Sequence, residues 1–332
     1  MDKLYNANII STGGYAPDWV LPNAFFDELL GEEVDTWLRE NVHIYERRWC
    51  REGESTADLA ERAGRQALER AGVQPQAVDL VIVATDTPEY VSPSTAAVVQ
   101  YRLGASRSGS FDVNTACAGF VTALDMGAKY IRADEQYRYV LVIGAYAMSK
   151  HLNKTDKKTV TLFADGAGAV LLGREERPGY GLLASQLISE GQYYDWMGIY
   201  GGGARMPVDE KVLAGRDHQL KFLRKFPPEL NPEHWTAMTH TLCDRIHIPV
   251  SEVGHFFLTQ ININSIWDTM DRLGQPREKA HTIMHHYGYT GSACIGMAVN
   301  DAWEKGILKK GDLNVCIGSG GGLAFASAAI RL

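Results

Sequence analysis

No stretch of about 18 uninterrupted apolar residues occurs in the chain, so no membrane-spanning helix is expected. The opening MDKLYNANIISTGG has no basic segment leading into an apolar run, and a secretory leader is not expected either. Basic residues are in deficit. The 33 Lys and Arg stand against 40 Asp and Glu, and the formal net charge of -7 argues against a nucleic-acid surface. Cysteine is sparse: Cys50, Cys117, Cys243, Cys294 and Cys316 are odd in number and widely spaced. They form no CxxC pair and no cluster with histidine, which excludes a disulfide framework and a zinc site and fits a reducing, cytoplasmic setting. What remains is an ordinary folded composition, 45% hydrophobic and 22% charged, in 332 residues that can bury a core without staples.

The chain states its plan twice. Residues 55–71, STADLAERAGRQALERA, place Leu59, Ala60, Ala63, Ala67, Leu68 and Ala71 at helical spacing behind a Ser55/Asp58 capping box. A turn, GVQPQ, leads into the short apolar run VDLVIVATDT, which predicts a buried strand. The order recurs in WTAMTHTLCDRIHIPVSEVGHFFLTQIN. Val78 matches Val253 at an offset of 175, Gly104 matches Gly274 at 170, and Gly144 matches Gly318 at 174. Such constant spacing predicts an internal duplication, with one α/β half over 1–173 and another over 174–332, each with a mixed sheet covered by helices. The intervening 174–232, rich in aromatics, Gly and Pro, has no counterpart in the first half. It is expected to form loops that build or cap a pocket.

Cys117 falls between a strand-like SFDVN and a helix-like AGFVTALDMGAKYI. At that junction the helix terminus should lower the thiol pKa. The small Ala116, Ala118 and Gly119 would let a substrate approach the sulfur and leave the Cys117 N–H for an oxyanion, as a covalent acyl-thioester intermediate requires. Free cysteine is more often a buried hydrophobe, and the other four are read that way.

The segment DVNTACAGF strongly resembles the nucleophile segment of the ketoacyl synthase III family of thiolase-like condensing enzymes. VLPN, DTWLRENVHIYERRW, LFADGAGAVLLG and GSGGGLAFASAAIRL are similar to that family in the same order, so the likeness spans the chain. It implies a duplicated, five-layered α-β-α-β-α fold, a homodimer, and no tightly bound cofactor. Acyl-CoA or an acyl carrier protein would be the substrate and partner, with neither nucleic acid nor membrane insertion. By the same likeness Cys117 is the acylated nucleophile and Gly320, Gly321 and Gly322 form the loop that gives a second oxyanion donor, at Gly321. Trp37 is the tryptophan that stacks on the coenzyme A adenine, and Lys157 the basic residue opposite it. A second basic contact is replaced by Asn41, which favours a carrier protein as donor.

The family's decarboxylating histidine and asparagine are both absent. LTQIN has Thr259 where the histidine stands before QxN, and YGYT has Tyr289 in place of asparagine, while Gln260, Asn262, Gly288 and Thr290 are retained. Thr259 and Tyr289 hydroxyls are candidate oxyanion donors, and Asn262 a candidate substrate contact. His286, with His285 in the strand-like HTIMHH, is a candidate acid/base, against a default in which both end a strand. Asp165 is expected to cap local backbone. Tyr193, Trp196 and their neighbours Tyr194 and Tyr200 line a pocket or pack under a loop. Lys221–Lys225, KFLRK, is a solvated helix face or a dock for an acidic carrier. The resulting expectation is an acyltransferase of the 3-oxoacyl-carrier-protein synthase III type whose acceptor supplies its own reactivity. The alternative is a non-catalytic partner subunit, and an ordinary fatty-acid initiation enzyme is disfavoured by the two substitutions.

Overall fold

A computed structural model describes residues 5–332. Nine strands build two sheets. The first contains β1 (Asn6–Tyr15), β2 (Leu80–Ala84), β3 (Gly109–Val113), β4 (Tyr139–Ala147) and β5 (Asp165–Glu175), in the order β1-β5-β4-β2-β3. Strand β2 runs parallel to both β3 and β4, and all five of its residues are buried, as an uninterrupted Leu-Val-Ile-Val-Ala run demands. The second sheet contains β6 (Gly181–Ser189), β7 (His255–Leu258), β8 (Leu313–Gly320) and β9 (Ala324–Arg331), in the order β7-β8-β9-β6.

Six helices of nine or more residues complete the layers. They are α1 (Thr56–Ala71), α2 (Thr95–Leu103), α3 (Gly119–Ala133), α4 (Leu230–Ile246), α5 (Ile263–Arg272) and α6 (Cys294–Glu304). Helices α1 and α2 cover the outer face of the first sheet, and α4, with α5 against it, covers that of the second. Helix α3 packs on strands of both sheets, and α6 lies beside it in the central layer, giving α-β-α-β-α. The capping box at Ser55 is present, with the Ser55 N–H donating to Asp58 Oδ2 at 2.8 Å.

The repeat landmarks have matching local structure. Val78 and Val253 each close a one-turn 3-10 helix just before β2 and β7. Helices α1 and α4 end 175 residues apart on left-handed residues, Gly72 at φ 65° and His247 at φ 56°. Gly104 and Gly274 are likewise left-handed, at 78° and 63°.

Three expectations are corrected. The stretch 174–232 is not loop throughout, because β6 lies within it and pairs antiparallel with β9, as β1 pairs with β5. Only the first half of β6 is well buried, so its apolar alternation fades early and reads poorly in the sequence. HTIMHH is not a strand. One parallel bridge, Phe256 to Ala280, lies just before it, after which the Gln260 side chain takes over, donating to His281 O at 3.1 Å and accepting from Ile283 N at 2.9 Å. His285 and His286 then fall in a single helical turn, Met284–Tyr287. The KFLRK segment is no helix face either, since Lys221–Phe222 pairs antiparallel with Met197–Gly198.

The two halves come into close backbone contact where β8 touches the loop after β3. A methyl group at Gly318 would lie 2.7 Å from Ala118 Cα, and one at Gly320 would lie 2.4 Å from Cys117 N. Both neighbours are backbone and cannot swing aside. Gly318→Ala should therefore destabilise the fold by about 1–3 kcal/mol in urea unfolding; a change under about 0.5 kcal/mol would show that the contact is loose.

Candidate active site

Strand β3 ends at Val113, and the chain turns sharply through Asn114–Ala118 before α3 begins. Ala116 takes φ 45°, a left-handed conformation unusual for an L side chain, and the turn lifts Cys117 onto the end of the central helix. Ala118 N donates to Thr115 O at 3.1 Å and Gly119 N to Ala116 O at 2.9 Å, which closes the elbow. The small residues at 116, 118, 318 and 320 serve this turn first: they let the loop seat against bare β8 backbone.

Cys117 opens into a chamber shared with Met197, Phe222, Phe226, Ile261, Tyr289, Ser319, Gly320, Gly321 and Leu323. Gly320 and Gly321 thus reach the sulfur's side of the cavity. Gly322 follows at φ 132°, in the region that favours glycine. The Tyr289 ring is buried against Phe163, with centroids 5.3 Å apart, and its hydroxyl acts on the Cys117 sulfur, lowering the thiol pKa. Tyr289 is held by its backbone: its N–H donates to Leu162 O and its carbonyl accepts from Ala164 N, both at 2.9 Å. Buried Arg47 fixes the chain just upstream, donating to Thr161 O at 2.6 Å and to Asn23 Oδ1 at 2.8 Å, and burial lowers its pKa to about 9.

The thiol differs from the sequence expectation. Burial, then the nearby Asp86 carboxylate, push the Cys117 pKa well above its ordinary value, while the Tyr289 hydroxyl and the residue's own N–H pull it down less strongly. The resting site therefore holds a protonated thiol, because loss of water outweighs the helix terminus. Tyr289 is raised too, by burial first and the Cys117 sulfur second, so it stays a hydrogen-bond donor at neutral pH.

Thr259 is buried at the end of β7, with its hydroxyl committed to β8. It accepts from Ser319 N at 2.8 Å and points its own proton at Ser319 O, 3.4 Å away. It anchors the residue before Gly320 and does not line the chamber. Asn262 is the N-cap of α5, accepting from Asn264 N at 2.9 Å. His286 is not brought to Cys117. Its side chain is 60% exposed and pairs with Glu46 at 3.7 Å, because the helical turn replaces the expected strand alternation. Among the described residues no histidine lines the chamber. Asp165 accepts from Cys50 N at 2.6 Å and Ser149 N at 2.8 Å and caps backbone as expected.

A second groove, about 390 Å³, opens beside the chamber between Trp37, Lys157, Lys158, Thr161, Leu162, Phe222, Leu223, Arg224 and Lys225. Trp37 is 53% exposed on one wall. Lys157 reaches Glu32 at 2.9 Å, and Asn41 is turned to Trp37 O at 3.0 Å. Phe222 lines groove and chamber alike and separates them. Of the aromatic run, Tyr193 and Trp196 pack behind Phe226, with Tyr193–Trp196 at 4.7 Å and Trp196–Phe226 at 5.3 Å, while Tyr194 faces solvent.

Sequence reasoning passed over the charge effect of Asp86, two residues beyond β2, on the Cys117 thiol. The readable signal was an acidic residue directly after a fully apolar parallel strand, the place where open α/β sheets put polar chemistry.

Tyr289→Phe removes the hydroxyl that lowers the Cys117 pKa. Alkylation of Cys117 by iodoacetamide at pH 8 should slow roughly 3- to 10-fold, the worth of one hydrogen bond. An unchanged rate would show that the hydroxyl does not act on the sulfur.

Two family profiles match the chain: 3-oxoacyl-[acyl-carrier-protein (ACP)] synthase III over residues 111–191 and its C-terminal region over 243–332. A beta-ketoacyl-[acyl-carrier-protein] synthase III of Clostridium perfringens is 36% identical over 330 residues, covering 98% of this chain and 99% of its own. One from Caldanaerobacter subterraneus is 33% identical over 325 residues, covering 98% and 97%. The crystal structure of 3-oxoacyl-[acyl-carrier-protein] synthase III from Aquifex aeolicus superposes with a TM-score of 0.88 at 31% identity, over 98% of this chain and 100% of that one. OleA of Xanthomonas campestris, 21% identical with a TM-score of 0.83, shares the fold. The duplicated sheets, the cysteine elbow and these likenesses agree, and the chain belongs to the 3-oxoacyl-[acyl-carrier-protein] synthase III family of condensing acyltransferases.

Proposed function

We propose that the chain takes an acyl group from a thioester onto Cys117 and passes it to a second substrate that brings its own reactivity. The observation that carries this reading is the meeting of Cys117, the Tyr289 hydroxyl and Gly320–Gly321 in one chamber without an imidazole. A thiol beside a hydrogen-bond donor and free glycine backbone suits attack on a thioester carbonyl and stabilisation of the resulting oxyanion. The same chamber offers no strong base, and Thr259 is spent on Ser319. Decarboxylation of a malonyl thioester is thus poorly supported. A stabilised carbanion, amine, hydroxyl or thiol suits the second step better. The retained elbow speaks for a working enzyme over a non-catalytic partner subunit.

The basic groove leads from Trp37 to Cys117 past Phe222. Its exposed indole, three lysines and Arg224 suit a long anionic thioester carrier, either coenzyme A with its adenine on Trp37 or an acidic carrier protein. No cofactor has a part in this scheme. Homodimerisation is supported by β3, which lies at a sheet edge beside α2, whose Tyr101 is 84% exposed. All five cysteines are unpaired and buried, which suits the cytoplasm. Among the described residues no helix is long and apolar enough to cross a membrane.

Incubation with a panel of acyl-CoA and acyl-carrier-protein thioesters should add one acyl mass to the intact protein, and Cys117→Ala should take up none. An adduct surviving in Cys117→Ala would overturn the assignment. Trp37→Ala should raise KM for acyl-CoA about tenfold while leaving an acyl-carrier-protein donor unaffected, if the indole stacks on adenine. Equal effects on both donors would remove Trp37 from nucleotide recognition.

A further inference from the structure

The Cys117 chamber turns a corner. Gly318 and Gly320 present their bare faces to the elbow, where added methyl groups would meet Ala118 Cα and Cys117 N. Successive residues of a strand project to opposite faces, so Ser319, between them, sends its side chain to the other side of β8. That side belongs to α4. The cross-strand partner of Ser319 on β9 is Phe325, whose ring stacks on His234 at 4.2 Å, and His234 is tied to Glu190 at 3.1 Å. Residues paired across a ladder share a face, and Asn231 lies one turn before His234 on the same side of α4. Ser319 and Asn231 both line the chamber that receives Cys117. The cavity therefore runs from the sulfur, past the free glycine backbone at Gly321, to a polar end between β8 and α4.

The groups at that end are unpaired. Ser319 engages Thr259 through its backbone, the N–H at 2.8 Å and the carbonyl at 3.4 Å, and its hydroxyl hydrogen-bonds none of the described residues. The Asn231 amide is likewise without a protein partner among the described residues. Ser319 is nevertheless only 6% exposed. A hydroxyl so buried, lining a cavity together with an idle amide, is suited to a ligand's polar group. Most of the remaining wall is apolar, from Met197, Phe226, Ile261 and Leu323. The chamber's volume is about 80 Å³, room for roughly six water-sized groups.

We infer that Ser319 and Asn231 select the acyl group: Cys117 is loaded with a short acyl group that carries a neutral hydroxyl or carbonyl oxygen, in preference to a plain alkyl chain. The inference rests on Cys117 being the acylated nucleophile. Loading forms the Cys117 S–C bond, breaks the carrier's C–S bond and passes the thiol proton to the departing carrier sulfur; the distal oxygen keeps all its bonds. Hydroxyl and amide each donate and accept, so a hydroxy and a keto substituent fit alike. A carboxylate does not, because among the described residues no cationic side chain lines the chamber. An alkyl chain of equal size would cover both groups without giving them a partner, and the lost hydration is the source of the discrimination. The polar end serves the acyl group because the outer groove does not share it: the carrier lies beyond Phe222, and neither Ser319 nor Asn231 lines that groove.

The test compares two donors that differ by one group, 3-hydroxybutyryl-CoA and isovaleryl-CoA, in which a methyl replaces the hydroxyl. The matching N-acetylcysteamine thioesters are run in parallel, and the Cys117 adduct is followed by intact mass in wild type, Ser319→Ala, Ser319→Thr and Asn231→Leu. Wild type should load the hydroxyacyl group about 10- to 100-fold faster, as one or two hydrogen bonds dictate. Ser319→Ala and Asn231→Leu should each lose about three- to tenfold of that ratio, while Ser319→Thr, which keeps the hydroxyl, should retain most of it. A general loss of packing or of thiol reactivity slows both donors and cancels in the ratio. A wild-type ratio under about threefold would overturn the inference, as would a ratio unchanged in both Ser319→Ala and Asn231→Leu. If one of these variants does not fold, the wild-type ratio and the remaining variants decide. If no donor of any kind loads wild type, the functional reading fails. Where neither of these two donors loads, protection of Cys117 from iodoacetamide decides the selection: 3-hydroxybutyramide should protect at about tenfold lower concentration than isovaleramide, and equal protection would overturn it.

Discussion

The bare backbone of β8 at Gly318 and Gly320, pressed against the loop that carries Cys117, is the contact on which the rest of the structure depends. It joins the central strand of one half to the nucleophile of the other. Without it the elbow would have no floor, and the sheets could not close on α3 from both sides. A pair of methyl groups would be enough to separate them. The chamber is therefore a product of docking two similar halves, and neither half contains it alone: Cys117 comes from the first, while Tyr289 and Gly320–Gly321 come from the second.

Docking also dries the site, and dryness sets its chemistry. Cys117, Tyr289 and Tyr146 all have raised pKa values, with burial as the leading cause. A site built this way rests neutral and can act only when a proton is moved within it. The hydroxyl of Tyr289 and the carboxylate of Asp86 bear on the sulfur with opposite signs, the first lowering and the second raising its pKa. The outer groove has the opposite character, open and lined with lysines, suited to catching an anionic carrier and delivering only its neutral end past Phe222.

Much of this was legible in the sequence because it depended on local pattern. The capping box at Ser55, the apolar run of β2 and the three repeat offsets each report a single element, and each has its expected structure. The family likeness pointed to Cys117 and the glycine loop, and Cys117, Gly320 and Gly321 line one chamber. Side-chain partners were less legible. Thr259 has a usable hydroxyl on paper, but its bond to Ser319 depends on β8, 60 residues away. HTIMHH has strand composition, yet the Gln260 amide replaces the ladder and turns His286 to the surface. The thiol pKa was misjudged for a similar reason, since burial and Asp86 are tertiary facts while the helix terminus is a local one.

The central claim is that acyl transfer proceeds in two halves through Cys117. The most direct measurement is the release of free carrier thiol on rapid mixing of the protein with an acyl thioester alone, without acceptor. The account predicts a burst of about one thiol per chain followed by a far slower phase, the signature of an acyl-enzyme that waits for its partner. Linear release from the first instant, or none until an acceptor is added, would contradict it.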